Sequence, residues 1–212
     1  MNPYVVIDIG GTSIKYGLAD AEGQLLETHE MPTEAQKGGP HILKTTKEIV
    51  ARYLKKHALA GVAISSAGMV DPDKGEIFYA GPQIPNYAGT QFKKEIEETF
   101  QIPCEIENDV NCAGLAEVTT GHAKGSNNAV CLTIGTGIGG CLLLDGQVFH
   151  GFSNSACEVG YLHLPDGAFQ DLASTTALVE YVAEHHGDPA EQWNGRRIFK
   201  QATEGDKICM AG

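Results

Sequence analysis

The sequence lacks long apolar runs, is poor in basic residues and contains a single tryptophan among its 212 residues. Lys and Arg number 15 against 27 Asp and Glu, so the formal net charge is -12 at pH 7. Nucleic acid and anionic membranes select clustered basic side chains, and this balance argues against both as partners. The first residues also lack the basic and then apolar pattern of a signal peptide. We therefore expect a cytoplasmic protein with no nucleic acid and no membrane partner.

The six cysteines include no Cys-x-x-Cys pair, which many zinc cages and redox motifs need. They are scattered along the chain at positions 104, 112, 131, 141, 157 and 209. Most have apolar neighbours, so we expect buried thiols rather than disulfides. The length leaves room for one large domain or two small ones.

A glycine turn follows the first apolar run of the chain. Residues 5–7 predict a strand, which leads into Asp8-Ile9-Gly10-Gly11-Thr12-Ser13-Ile14-Lys15. Glycines allow backbone N–H groups to converge on an anion. Thr12 adds a hydroxyl and Lys15 a cation, while Asp8 offers a carboxylate suited to hydrated Mg²⁺. A hairpin with a Gly-Gly turn would show a similar pattern, so this segment alone does not establish phosphate binding.

The pattern recurs about 125 residues later, which indicates an internal repeat. With Gly135 placed on Gly10, the first segment aligns with Val130-Cys131-Leu132-Thr133-Ile134-Gly135-Thr136-Gly137-Ile138-Gly139-Gly140. Thr133 takes the place of Asp8, so only the first copy carries the carboxylate. Two related halves facing one nucleotide are expected. A dinucleotide fingerprint is a poor alternative, because it requires a helix after the glycines and residues 141–144 predict a strand.

Alternating strand and helix patterns predict an α/β protein with a mixed sheet. A three-stranded antiparallel meander is expected at 3–31, short strands at 61–65 and 103–106, and a second hairpin at 129–149. Helices are expected at 41–57, 90–100, 110–120, 171–186 and 194–203, with Thr90 as the N-cap of the second. Because no strand completes the second half after residue 203, we expect a chain that is cut short.

Two acidic sites are candidates for chemistry. Asn108-Asp109 ends a predicted strand and begins a helix, where ligand sites of α/β sheets commonly lie. The helix macrodipole favours an ionised carboxylate there, which suits a base in phosphoryl transfer. A plain helix-capping Asp is the alternative, and the dipeptide alone favours it. Glu158, near Gly160, would either project towards a polyol or be a solvated surface acid.

Taken in chain order, these motifs resemble the signature of the ROK family of sugar kinases, within the actin and hexokinase superfamily. They are Asp8-x-Gly10-Gly11-Thr12, Glu107-Asn108-Asp109, Gly135-Thr136-Gly137-x-Gly139-Gly140 and Glu158-x-Gly160. The resemblance implies an actin-like ATPase (ribonuclease H-like) fold with two related domains, 1–118 and 119–212, the second incomplete. It also implies phosphorylation of a hexose hydroxyl, commonly O6, with ATP and Mg²⁺, and a homodimer as in many relatives.

The resemblance also implies a role for each site residue. Asp109 would be the catalytic base, and Asp8 would lie near the metal. The sugar would contact Asn108 and Glu158. We also expect the loops around Gly68, Asn86 and Tyr161 to line the sugar pocket. The ATP phosphates would contact Gly10, Gly11, Thr12, Lys15, Gly135, Thr136, Gly137 and Gly139.

The sequence departs from the family pattern in three places. Many members have His where Tyr161 stands and a cysteine cluster after it, so no zinc site is expected here. The Tyr form, with Leu172-Ala173-Ser174, resembles the β-glucoside and N-acetylmannosamine kinase branch. Gln170 stands where a sugar-binding Glu is frequent. Family members also continue past position 212 with an adenosine-binding segment. The alternative is therefore an inactive truncated protein that binds sugar or a protein partner.

Overall fold

The structure, a computed structural model, describes residues 1–212 and divides into two compact units, Met1–Cys112 and Ala113–Gly212. Each unit has its own hydrophobic cluster of buried side chains. No disulfide joins the cysteines, and three of the six thiols are buried, at positions 104, 141 and 209. No helix combines the length and the apolar character that crossing a membrane requires.

The first unit is built on a five-stranded mixed sheet. Its strands and helices, in chain order, are β1 Tyr4–Ile9, β2 Ser13–Ala19, β3 Leu25–Pro32, α1 Gly39–Leu54, β4 Gly61–Ser66, β5 Met69–Asp71, β6 Glu76–Tyr79, α2 Phe92–Phe100, β7 Cys104–Asn108 and the start of α3 Asp109–Thr119. The rest of α3, from Ala113 onwards, belongs to the second unit. The sheet order is β3-β2-β1-β4-β7, and β5 pairs with β6 in a separate ribbon. Apolar side chains at alternate positions of β1 are buried, as expected for a strand covered on one face by helices.

The register of this sheet decides where its polar residues lie. β1 is antiparallel to β2 but parallel to β4, and β4 is parallel to β7. Asp8 on β1 is opposite Ser65, and the next residue of β4, Ser66, is opposite Asn108 on β7. Because carboxyl ends of parallel strands meet at one edge, these polar residues gather there.

The second unit contains a smaller sheet and a helical cluster. Its elements are β8 Ala129–Ile134, β9 Ile138–Leu144, β10 Gln147–Val148, β11 His163–Leu164, β12 Gly167–Ala168, α4 Phe169–Ala173, α5 Thr175–His186, α6 Gly195–Thr203 and α7 Lys207–Ala211. The sheet order β10-β9-β8 leaves β8 at an edge, with Val130 and Ile134 each 63% exposed. Trp193 and Ile198 are buried among the helices with Val182, Ala183 and Cys209.

The structure contains both expected hairpins but corrects two helix predictions. Thr90 is not the N-cap of α2, because its hydroxyl donates to the carbonyl of Tyr87 at 2.6 Å and Gln91 precedes the helix. The helix expected at 171–186 is two helices, since Ser174 has an extended backbone between them. Ser174 Oγ then accepts a hydrogen bond from Ala177 N at 3.2 Å and caps α5.

Candidate active site

Asp109 is the first residue of α3 and follows β7 directly. At the same sheet edge, the hydroxyl of Ser65 donates to Oδ1 of Asp8 over 2.8 Å. Ser65 therefore fixes one carboxylate oxygen of Asp8 and leaves the other available. The structure brings together Asp8, Asn108 and Asp109, three of the residues that the sequence singled out.

Asn108 uses its whole side-chain amide within the protein. Its Oδ1 accepts from Val110 N at 2.9 Å and Asn111 N at 3.2 Å, which caps α3. Its Nδ2 donates to Gly68 O at 2.9 Å and to Oδ1 of Asp109 at 3.0 Å. Since an amide offers two hydrogens and two lone pairs, all four positions have partners. A sugar hydroxyl that binds Asn108 would have to replace or share one of these bonds.

Desolvation raises the pKa of the Asp109 carboxyl above its ordinary value, although the residue remains accessible to solvent. The hydrogen bond from the backbone N–H of Val110 opposes this effect, and the negative charge of Asp8 adds to it. The helix N-terminus favours the ionised carboxylate, but loss of hydration has the larger effect on the pKa here. A carboxylate with a raised pKa accepts a proton more readily than an ordinary surface acid.

The predicted sugar-pocket residues of the first unit lie on irregular backbone. Gly68 has a φ of +92° and presents its carbonyl to Asn108, while Asn86 has a φ of +52°. Tyr87, next to Asn86, is almost completely buried, and its hydroxyl lies 2.6 Å from Oγ of Ser66. This bond ties the loop that contains Asn86 to the carboxyl end of β4.

In the second unit, the glycine turn is held by the start of α5. Gly135 N donates to Gly137 O over 2.9 Å, which closes the turn between β8 and β9. Thr175 N donates to Gly135 O, and Thr176 Oγ1 donates to Thr136 O, both at 2.9 Å. Gly139 is the second residue of β9 and pairs with Thr133. The sequence did not reveal these threonine contacts.

Glu158 precedes a short 3-10 turn at Val159–Tyr161, and Tyr161 is the last residue of that turn. Glu158 is half-buried, while 63% of Tyr161 is exposed. Gly160 is buried so close to β9 that a Cβ there would clash with the carbonyl oxygen of Ile138. This packing fixes the turn that carries Glu158.

Two glycines have no structural reason to be glycine. A Cβ added at Gly11 or at Gly135 would have no heavy atom within 4 Å, and neither has a positive φ. Apart from Gly139, every other glycine of the chain has either a positive φ or a close neighbour at its Cβ position. Gly11 and Gly135 are both exposed, and each lies in one of the two glycine turns. With conformation and packing excluded, the remaining reason for glycine at these two positions is the close approach of a ligand to the backbone.

The sequence profile of the ROK family matches residues 4–211 of the chain. The chain belongs to the ROK family. An uncharacterised protein of Clostridium perfringens is 50% identical over 209 residues, covering 99% of this chain and 71% of that protein. A β-glucoside kinase of Klebsiella pneumoniae is 33% identical over 212 residues, covering 96% of this chain and 69% of the kinase. A glucokinase of Halalkalibacterium halodurans is 31% identical, covering 95% of this chain and 59% of that enzyme.

Solved ROK structures have the same fold. A proposed N-acetylmannosamine kinase from Listeria monocytogenes has a TM-score of 0.87 at 30% identity, covering 99% of this chain and 73% of that one. A ROK glucokinase from Streptomyces griseus, in complex with glucose and AMPPNP, has a TM-score of 0.79 at 27% identity, covering 98% and 73%. The predicted family, its sugar-kinase character and the actin-like ATPase fold are therefore confirmed.

Proposed function

We propose that the chain transfers the γ-phosphoryl group of ATP to a hydroxyl of a hexose or hexose derivative, at O6. The observation that carries this proposal is the placement of Asp109. It lies at the carboxyl edge of a parallel sheet, held by Asn108 and electrostatically coupled to Asp8. Asp109, a positioned carboxylate with a raised pKa, is suited to take a proton from a substrate hydroxyl. Asp8, the second carboxylate, is suited to hold a cation that binds the phosphates.

In this mechanism, Asp109 accepts the proton of the sugar hydroxyl while that oxygen attacks the γ-phosphorus. The bond between the γ-phosphorus and the β,γ-bridging oxygen breaks, and ADP leaves with the electron pair. Phosphoryl transfer of this kind depends mostly on positioning and on electrostatic stabilisation. Asn108 contributes the positioning, because its amide holds the carboxylate of Asp109 and the first turn of α3 together.

Asp8 is the residue proposed to hold Mg²⁺, through the ion's water. Its donor set fits this ion, because hydrated Mg²⁺ takes one or two carboxylates and substrate phosphates in kinases. Asp8 is half-buried, and Ser65 orients one of its oxygens. When bound, the ion would neutralise charge on the phosphates.

The two glycine turns are proposed to bind the ATP phosphates. Gly11 and Gly135 support this role, since neither conformation nor packing requires glycine at either position. In the first turn, Gly10, Thr12 and Lys15 would add backbone N–H, hydroxyl and ammonium donors. In the second turn, the corresponding donors would come from Thr136, Gly137 and Gly139. The AMPPNP complex of the Streptomyces griseus glucokinase supports ATP as the phosphoryl donor.

The sugar is proposed to contact Asn108 and Glu158, with Gly68, Asn86 and Tyr161 on the surrounding loops. Names of relatives support a hexose, because they include glucokinases, β-glucoside kinases and an N-acetylglucosamine kinase. A cytoplasmic location and a homodimer remain predictions from the sequence.

A coupled assay of ADP release tests the proposal. The chain would be supplied with Mg-ATP and, one at a time, glucose, a β-glucoside, N-acetylmannosamine and N-acetylglucosamine. We expect ADP formation that requires one of these sugars and falls sharply in the Asp109→Asn variant. Sugar binding detected by calorimetry without ADP release would instead support a binding protein without kinase activity.

A further inference from the structure

Three side chains with metal-binding atoms meet where α5 ends and α7 begins. His186 is the last residue of α5, Asp206 is the N-cap of α7, and Cys209 lies in the first turn of α7. Nε2 of His186 is 3.3 Å from Oδ1 of Asp206 and 3.9 Å from Sγ of Cys209. All three ligand atoms lie within 4.8 Å of one another. None of these residues belongs to the proposed kinase site.

These separations match the edges of a tetrahedral zinc site. Zinc binds nitrogen and oxygen at about 2.0–2.2 Å and sulfur at about 2.3 Å. Tetrahedral angles then place nitrogen and oxygen about 3.3 Å apart, and nitrogen and sulfur about 3.6 Å apart. The observed nitrogen–oxygen distance of 3.3 Å fits as it stands, and the nitrogen–sulfur distance of 3.9 Å is slightly long. The oxygen–sulfur distance is within 4.8 Å, so the Cys209 thiol would have to move inwards to bind an ion.

Each of the three side chains is already held in place. The ring of His186 stacks on Trp193, with centroids 4.8 Å apart and planes inclined at 29°. Oδ1 of Asp206 accepts from Ile208 N at 3.0 Å and Cys209 N at 2.9 Å, and Cys209 is 5% exposed. Binding of an ion would therefore cost little side-chain ordering, which favours affinity. If the ion binds Oδ1 of Asp206, it would replace or share one of the two backbone hydrogen bonds to that oxygen.

The surroundings also suit a cation. His186 and Asp206 line a cavity of about 480 Å³ whose wall includes two more carboxylates, those of Asp188 and Glu204. The one basic side chain of the wall, Arg197, stacks on Trp193 at 4.0 Å and donates to the carbonyl of Gln192. Oε1 of Gln201 lies 3.8 Å from Sγ of Cys209, so an oxygen ligand is available for a fourth position.

We propose that His186, Asp206 and Cys209 bind a tetrahedral divalent metal ion of the zinc class, with Gln201 or water as the fourth ligand. A mixed nitrogen, oxygen and sulfur set selects Zn²⁺ or Co²⁺ over Mg²⁺ and Ca²⁺. The ion would displace the thiol proton of Cys209 and join the end of α5 to the start of α7. Without an ion, the same contacts would be only a His–Asp ion pair and weak thiol hydrogen bonds.

Titration of the metal-stripped chain with Co²⁺ tests the site without reference to kinase activity. We expect one equivalent to give a thiolate-to-cobalt charge-transfer band and the visible bands of a tetrahedral ion. Cys209→Ser should abolish the charge-transfer band. Asp206→Asn should weaken binding by about tenfold or more, a typical result when a metal site loses a supporting group. Asn also caps helices, so this second variant removes the charge while α7 keeps its N-cap.

Cys131→Ser and His122→Gln serve as matched controls, because both residues lie outside the cluster. Both controls should keep the wild-type cobalt spectrum and affinity. Zn²⁺ should displace Co²⁺ and raise the thermal midpoint of the wild type more than that of Asp206→Asn. Absence of cobalt binding, an octahedral spectrum without charge transfer, or an unchanged spectrum in folded Cys209→Ser would each overturn the proposal.

Discussion

Nδ2 of Asn108 donates a hydrogen bond to Oδ1 of Asp109 over 3.0 Å. The same side chain caps α3 through its Oδ1 and anchors to the carbonyl of Gly68 through its second hydrogen. One amide therefore joins the helix N-terminus, the β4–β5 connection and the proposed base. Helix stability and catalytic geometry both depend on Asn108, and suitable variants can separate the two.

Asn108→Ala should lower both stability and turnover. The loss of an N-cap costs about 0.5–2 kcal/mol of unfolding free energy, which a thermal or urea denaturation would measure. Asn108→Ser keeps a capping oxygen but loses both amide donors, so it should retain most of the stability. Its kcat should still fall, because Asp109 loses its side-chain partner. If the Ser variant turns over sugar at the wild-type rate, Asn108 acts only as a helix cap.

Asp109→Asn should reduce kcat by about 10²–10⁴, the usual range for loss of a general acid or base. The amide is nearly the same size as the carboxylate and accepts the same hydrogen bond from Asn108. Sugar affinity, measured by calorimetry without ATP, should therefore change little. Turnover close to that of the wild type would exclude Asp109 as the base.

The raised pKa of Asp109 gives a second, independent prediction for the same variant. The pKa of Asp109 is higher in the folded state than in the unfolded state. Such a group stabilises the folded state at pH values below its unfolded pKa, and this stabilisation is lost as the pH rises through the folded pKa. At neutral pH, the ionised carboxylate thus lowers the free energy of unfolding. Asp109→Asn should raise the thermal midpoint near pH 7 and leave it almost unchanged below about pH 4, near the ordinary Asp pKa. A midpoint that falls at neutral pH would contradict this.

Alanine substitutions should separate the ligand-facing glycines from the packing glycines. In Gly135→Ala and Gly11→Ala, the added methyl group would have no heavy atom within 4 Å, so the thermal midpoint should stay close to that of the wild type. The KM for ATP should rise, because the methyl group would obstruct the phosphates. Gly160→Ala is the matched control, because its Cβ would clash with Ile138 O. It should lose about 1–3 kcal/mol of stability, as overpacked sites do. An unchanged KM for ATP in both open-site variants would remove the turns from the phosphate site.

Asp8→Ala should weaken the use of Mg-ATP more than the binding of sugar. Ser65→Ala is the milder companion, because it removes only the hydroxyl that orients Asp8. Titration of the ADP-release rate with Mg²⁺ should show a large rise in the required concentration for Asp8→Ala and a smaller one for Ser65→Ala. Identical magnesium dependence in both variants and the wild type would exclude Asp8 from the metal site.

Local patterns were enough to predict β1, β2 and the position of Asn108-Asp109 at a strand end. The glycine repeat also indicated the second hairpin, β8 to β9. The contact of Ser65 with Asp8 spans 57 positions and depends on strand register, which no local pattern contains. The two serines that end β4 were a signal, since polar residues after a buried strand often line a site.

Other features depended on tertiary context. The raised pKa of Asp109 follows from partial loss of hydration and from the charge of Asp8 on a neighbouring part of the sheet edge, neither of which the helix N-terminus alone predicts. The break at Ser174 also escaped notice, although a serine that starts a helix is a frequent N-cap. Thr175 and Thr176 hold the second glycine turn, which lies about 40 positions earlier in the chain. Sequence spacing does not suggest this contact.

The edge position of β8 has a practical consequence for handling this chain in solution. An open row of backbone donors and acceptors beside exposed Val130, Leu132 and Ile134 is a template for another strand. Concentrated samples should therefore precipitate through edge-to-edge contacts between copies. A lysine placed at Leu132 would discourage such stacking, and light scattering at increasing protein concentration would show the gain in solubility.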